Sequence, residues 1–230
     1  MTIIRPRAGE VIGDAPDRRV EILSDHVALN ATWSRFARGR EGAELHIHRR
    51  HTDLFYVLAG ELTVRLGRDG AEICAPAGTL VRVPPLVVHG FANTSEAEVR
   101  YLNLHAPGER FADYLRAARD GRTFVYDQEP PPPDGGRTAT DADIGRPGMG
   151  DVAAIGVDEL TYEPGDAGAP AAHEHLRSLY VLAGELVLSA DGDRLQAPAG
   201  AWVQVPAGAT HAIAGGGAGG LRLLDVRTPA

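Results

Sequence analysis

The chain has 230 residues, a net charge of −8 and a 43% hydrophobic share, enough for two small packed domains of roughly 100 residues each. Its arginines are scattered among acids, which argues against the concentrated basic face that nucleic acid requires, and no apolar run could span a bilayer. The lone cysteine, Cys74, cannot form an intrachain disulfide, and no signal-like apolar segment follows Met1, so a soluble cytoplasmic protein is expected.

In chain order, the 28 glycines and 16 prolines punctuate short runs that read as strands rather than helices. The first-half candidates are residues 32–38, 44–48, 54–59, 61–66, 79–83, 87–92 and 99–105, with further edge strands expected before Trp33. Phe111, Tyr114, Leu115 and Ala118 then fall at helical spacing, and Gly121 can end a short helix over 111–120. A Pro/Gly-rich linker over 128–150 follows, opening on Pro130–Pro133 and continuing through Asp134, Gly135 and Gly136; consecutive prolines favour an extended spacer.

The second half repeats the first. Tyr56–Leu62 recurs letter for letter as Tyr180–Leu186, Ala75–Gly78 as Ala197–Gly200, and Val83, Pro84 and His89 as Val205, Pro206 and His211. Ordered matches at nearly one spacing indicate duplication. The expected organisation is a first barrel over 1–127, the linker, and a second barrel over 151–230. Many short strands with turn punctuation point to an all-β, jelly-roll architecture.

His46 and His48 alternate on a predicted strand, so both imidazoles face one side. Asp53 follows closely, and His89 arrives on a later strand. Three imidazoles and a carboxylate form a plausible donor set for one divalent ion in the first barrel, with Fe, Mn, Ni, Cu and Zn all eligible. His51, beside Arg49 and Arg50, reads instead as an exposed loop residue. Phe55, Val57 and Phe91 (with Val87) share parity with the donors and would form apolar pocket walls. Tyr101, Asn103 and His105 alternate with Leu102 and Leu104; one set faces inward, and if it is the polar one, Tyr101 or His105 could position a substrate.

At these residues the sequence resembles the cupin superfamily, specifically its two-domain (bicupin) members. Gly39 or Gly42, His46, His48, Asp53 and Gly60 match the first motif; Gly78, Pro84, His89 and Asn93 match the second. The resemblance implies two tandem double-stranded β-helix barrels, with His46, His48 and His89 as metal ligands. Asp53 stands in place of the usual Glu, where it is expected to ligate directly, bind through water or serve as the catalytic base. The tail from Asn93 to the Phe111 helix is similar to the quercetinase-like group, which makes a dioxygenase the leading expectation. In that reading substrate oxygen binds the ion and Asp53 accepts its proton. A non-redox isomerase, decarboxylase or lyase, and a non-catalytic ligand-binding module, are the alternatives. The partner expected is a small-molecule substrate, and the resemblance admits a homodimer through exposed strands.

In the second half His173, His175 and His211 form a possible second site. However, ungapped alignment sets Arg177 against Asp53, and a guanidinium opposes a nearby divalent ion by roughly several kcal/mol. This barrel is therefore expected to be structural or weakly metalled, unless Arg177 turns outward or the pocket takes an anion. No phosphate-cradling glycine loop followed by lysine occurs and no Gly-x-Ser-x-Gly elbow is present. The Gly215–Gly220 run reads as a hairpin loop.

Overall fold

Strands form almost throughout the computed structural model, which describes residues 1–133, 141–148, 154–190 and 192–229. They are β1 (Thr2–Ile4), β2 (Glu10–Ala15), β3 (Arg18–His26), β4 (Leu29–Phe36), β5 (Glu41–His46), β6 (Thr52–Ala59), β7 (Glu61–Leu66), β8 (Ala71–Pro76), β9 (Leu80–Val83), β10 (His89–Ala92) and β11 (Val99–Ala106). After the helix α1 (Phe111–Arg119) come β12 (Asp143–Gly145), β13 (Gly156–Tyr162), β14 (His175–Ala190), β15 (Asp193–Pro198), β16 (Trp202–Val205) and β17 (His211–Pro229). Two compact units result: Glu10–Arg146, and Met1–Gly9 together with Pro147–Ala230. Each is an antiparallel β-sandwich, as the alternating, turn-rich sequence requires.

In the first unit a sheet ordered β12-β9-β6-β11-β4-β3-β2 accompanies a second ordered β5-β10-β7-β8. The inward side chains of both interdigitate: Phe36, Phe55, Val57, Leu62, Val64, Leu66, Val81, Val83 and Tyr101 form one buried cluster. Burial of a side chain of this size contributes about 1.5–3 kcal/mol, so this cluster is what holds the two layers together. The β11 strand lies between β4 and β6, which explains why Leu102 and Leu104 are buried along with Tyr101, Asn103 and His105. Both faces of a central strand can be covered, so alternation could not choose between the two sets.

The helix spans Phe111–Arg119, and Gly121, at φ 66°, ends it. The Arg122 amide reaches the Ala117 carbonyl at 2.8 Å, closing the helix end. Its apolar side meets Ile12, Val20 and Ile22 through Ala112 and Leu115. Ala118, expected on the packed face, is exposed. Of the linker expected over 128–150, residues 134–140 and 149–150 lie outside the described residues. Before them, Glu129 exchanges backbone hydrogen bonds with Ile47 at 2.9 and 3.0 Å; between the two stretches, β12 pairs with β9.

In the second unit β14 and β17 pair along nearly their whole lengths, with register shifts at Val181/Ala183 and Gly184/Glu185. The Gly215–Gly220 run lies inside β17 rather than forming a loop: Gly215 and Gly216 pair with Leu186 and Glu185. Bulges let one long strand serve both layers of a barrel, and side-chain-free residues make the bend possible. The core here is built on Leu179, Val181, Leu186, Leu188, Val203, Leu221 and Leu223. The strand β1 completes this unit by pairing with β16.

The repeated Ala-Gly-Glu turn explains its own conservation between the halves. Gly60 and Gly184 both have φ 75°, and a Cβ on them would meet the Glu98 and Gly220 carbonyl oxygens at 2.3 and 2.0 Å. Only glycine tolerates both the left-handed backbone and the close approach. Gly60→Ala is therefore expected to lower unfolding free energy by about 1–3 kcal/mol, read as a fall in denaturant midpoint; an unchanged midpoint would contradict this account of the turn.

Candidate metal centre

Strand β5 ends at His46, and Ile47 continues it as a single bridge to Glu129. His46 and His48 nevertheless keep a common face, as their spacing predicts. Thr52–Ala59 brings in Asp53, and β10 opens with His89, whose register partner on β5 is His46. All four side chains are buried.

The ring nitrogens are oriented from behind. His46 Nδ1 lies 2.7 Å from the Glu44 carbonyl, His89 Nδ1 lies 2.9 Å from the Val87 carbonyl, and His48 Nδ1 bonds the Asp127 carbonyl. A carbonyl oxygen only accepts, so each Nδ1 carries the proton and each Nε2 presents a bare lone pair. Outer partners of this kind are how proteins fix the tautomer of metal-binding histidines. The lone pairs converge: His46 Nε2 and His48 Nε2 are 3.2 Å apart, while Asp53 Oδ2 lies 3.3 Å from His89 Nε2 and 3.8 Å from His48 Nε2. Donor atoms around an ion at about 2.0–2.1 Å are separated by about 2.9 Å in an octahedron and about 3.4 Å in a tetrahedron. Four acceptors meet with no proton between them, and a cation is the natural complement. The trio His46, His48 and His89 is thus able to hold a metal ion, and the residues present fit one.

The Asp53 carboxylate is divided. Its Oδ2 faces the histidines, and its Oδ1 accepts from Asn103 Nδ2 and lies 3.5 Å from His105 Nε2. Burial raises its pKa, but the neighbouring imidazoles of His105, His48 and His89 outweigh this and hold it well below the usual carboxylate range. Asp53 is therefore an anion at neutral pH.

Behind this lies a layer of which the sequence pointed to only a part, His105 and Asn103. His51, expected to be exposed, is 0% exposed. Its Nδ1 lies 3.1 Å from Asp127 Oδ2, and that carboxylate also accepts the Arg49 and Arg50 amides, at 3.0–3.1 and 2.8 Å. Asp127 thereby pulls the His48–Asp53 connection inward and buries His51, which follows the two arginines. Tyr126 Oη lies 3.0 Å from His51 Nε2 and 2.7 Å from His105 Nδ1. From the helix, Phe111 stacks on His105 with centroids 3.8 Å apart, and Tyr114 stacks on Tyr126. Of the pocket candidates, Phe55, Val57, Phe91 and Tyr101 belong to or pack against the apolar cluster, while His105 joins the polar layer. The parity of β11 pointed to Asn103 and His105, but nothing local marks Tyr126 or Asp127, which arrive from far along the chain. Asn93 is structural: its side-chain amide donates to the Phe36, Ala37 and Ala97 carbonyls.

The second unit repeats the plan with a different cation. His211 Nδ1 lies 2.9 Å from the Ala209 carbonyl, as His89 does from Val87. Its Nε2 accepts from Arg177 Nη1 at 3.0 Å, and His173 Nε2 lies 3.4 Å from the same nitrogen. Asp225 holds the guanidinium through Nε and Nη2 at 2.8 and 3.0 Å. Arg177 therefore points inward between two of the three candidate histidines; the His175 ring lies 5.0 Å from that of His173.

Burial, followed by the charges of His89 and His48, pushes the His46 pKa down to about 3, and burial, followed by His48, pushes His51 down to about 4. Both lie below the value of about 6.5 for an unfolded histidine, so as pH falls the unfolded chain takes up protons first. Stability of the metal-stripped protein is complete above about pH 6.5 and declines as pH drops through the interval toward about 4. Melting curves across that range should show the decline, and a flat profile would contradict neutral buried imidazoles.

Comparison with known proteins bears on the fold and the family. Residues 32–105 and 158–227 match the family model described as Cupin domain. Among solved structures, protein Ylba from E. coli superposes with a TM-score of 0.70 at 13% identity, covering 98% of this chain and 89% of that one. AerE from Microcystis aeruginosa gives 0.69 at 13%, covering 99% of each chain. A variant of oxalate decarboxylase from Bacillus subtilis gives 0.64 at 17%, covering 99% and 77%. At such identities the likeness is one of fold. No curated protein matches the chain by sequence. Among the described residues no helix is long and apolar enough to cross a membrane.

Proposed function

The chain belongs to the cupin family, and on that premise we propose that its N-terminal barrel is a metal-dependent enzyme acting on a small, oxygen-bearing organic acid. The observation that carries this reading is the meeting of four buried acceptor atoms, on His46, His48, His89 and Asp53, with no proton among them. An ion held by these residues would supply Lewis acidity toward a substrate oxygen, and Fe, Mn, Ni, Cu and Zn all accept such donors.

The chain's own groups supply the rest. Asp53, ionised at neutral pH, is the acceptor for a substrate proton. Asn103 donates to its Oδ1 and fixes the carboxylate plane, so Oδ2 keeps facing the histidines. Burial of all four side chains excludes bulk water and supports a substrate of few heavy atoms. Because the flank formed by His51, Asn103, His105 and Tyr126 is polar, a non-redox decarboxylation, isomerisation or lyase reaction is the favoured class, and the fold likeness to oxalate decarboxylase supports it. The dioxygenase reading draws instead on the apolar side chains of Phe55 and Phe91, which pack 4.9 Å apart between centroids.

Removal of His46 or His89 is expected to abolish turnover together with the metal held at this centre. Asp53→Asn should retain a larger share of the metal while slowing turnover by about 100-fold or more. Oxygen-electrode recordings separate the classes: turnover without oxygen uptake fits the favoured one, and uptake matched to product transfers the assignment to the dioxygenase. Metal retention with no turnover across both substrate classes would leave only a ligand-binding role.

A further inference from the structure

The polar layer behind Asp53 has its own unmatched electrostatics. His51 Nδ1 faces a carboxylate oxygen of Asp127 at 3.1 Å, so that nitrogen carries the proton. The orientation of Asn103 is fixed because its amide nitrogen bonds Asp53 Oδ1 and, at 3.2 Å, the Leu54 carbonyl, both of which only accept. Its Oδ1 is consequently an acceptor, and His105 Nε2, at 2.9 Å, must donate to it. Each ring has therefore used its one proton. The remaining nitrogens, His51 Nε2 and His105 Nδ1, carry lone pairs and lie 2.9 Å apart. The Tyr126 hydroxyl, 3.0 and 2.7 Å from them, holds one proton for two acceptors. Three buried heteroatoms converge with one positive centre too few.

From this we propose that His51 Nε2, His105 Nδ1 and Tyr126 Oη form a second metal-binding site in the N-terminal barrel, adjacent to the first and taking a divalent transition ion. The triangle has edges of 2.7, 2.9 and 3.0 Å. One face of an octahedron around an ion with bonds of about 2.0–2.1 Å has edges of about 2.9 Å, so the three atoms already sit at the spacing of a facial donor set. Two imidazoles and a phenolic oxygen suit Fe or Cu. The surroundings resemble those of the first site: Asp127 orients His51 as carbonyls orient the other histidines, Phe111 stacks on His105, and Tyr114 stacks on Tyr126. The His48 ring, 4.0 Å from that of His51 between centroids, forms the wall common to the two sites.

Copper loading tests this. Chelator-stripped protein is loaded with Cu(II), passed over a weak chelating resin, and assayed for copper per chain and for a phenolate-to-copper charge-transfer band in the visible. The wild-type chain should retain one more copper than Tyr126→Phe. The band should be present in wild type and in His89→Ala, which disables only the first site, and missing from Tyr126→Phe. His51→Gln should behave like Tyr126→Phe, which covers the case in which the latter fails to fold. Equal copper in wild type and Tyr126→Phe, no visible band in wild type, or a band that survives in Tyr126→Phe would each overturn the proposal and leave the cluster a hydrogen-bonded network. Failure of the first site shows separately, as unchanged copper content in His89→Ala.

Discussion

Buried imidazole lone pairs, locked in direction by backbone carbonyls, are the constraint around which this chain is organised. A neutral ring whose Nδ1 proton is committed can offer only an acceptor at Nε2, and three such acceptors beside a carboxylate repel one another in a dry interior. The fold keeps them together because its strands are cross-linked by an apolar core centred on Phe55, Val57, Val81 and Tyr101. A cation between them turns the repulsion into binding.

Both halves obey the same rule and meet it differently. In the first, His46, His48, His89 and Asp53 leave the central position to an exogenous ion. In the second, Arg177 fills the corresponding role, donating to His211 and held by Asp225 in a paired geometry. A guanidinium is always charged and cannot be stripped by chelators or by mild acid, so the second barrel carries its cation in its own sequence. Duplication has thus given one half whose donors are open to an ion and another whose donors are closed by a side chain. It leaves the second half free to serve as scaffold, completed by β1 from the start of the chain.

Much of this was legible in the residues. The duplication, the all-β character, the helix over 111–119 and the grouping of His46, His48, Asp53 and His89 follow from repeats, turn chemistry and strand parity, because each is written in neighbouring positions. What was not legible depends on contacts distant in sequence. Tyr126 and Asp127 carry no motif, yet Asp127 orients both His48 and His51. The two arginines before His51 suggested solvent, but it is their backbone amides, not their side chains, that decide its position. Asn103 and His105 were ambiguous because β11 is covered on both faces. The Gly215–Gly220 run suggested a loop, and the pairing of Gly215 and Gly216 with β14 carries it into a strand.

Crystals of the protein soaked with a divalent transition metal, with data collected on both sides of that metal's absorption edge, test the central claim most directly. The account predicts an anomalous peak bonded to the Nε2 atoms of His46, His48 and His89 with Asp53 Oδ2 nearby, and no peak between His173 and His211, where Arg177 sits. A peak displacing Arg177, or no peak among the first-barrel histidines, would contradict it.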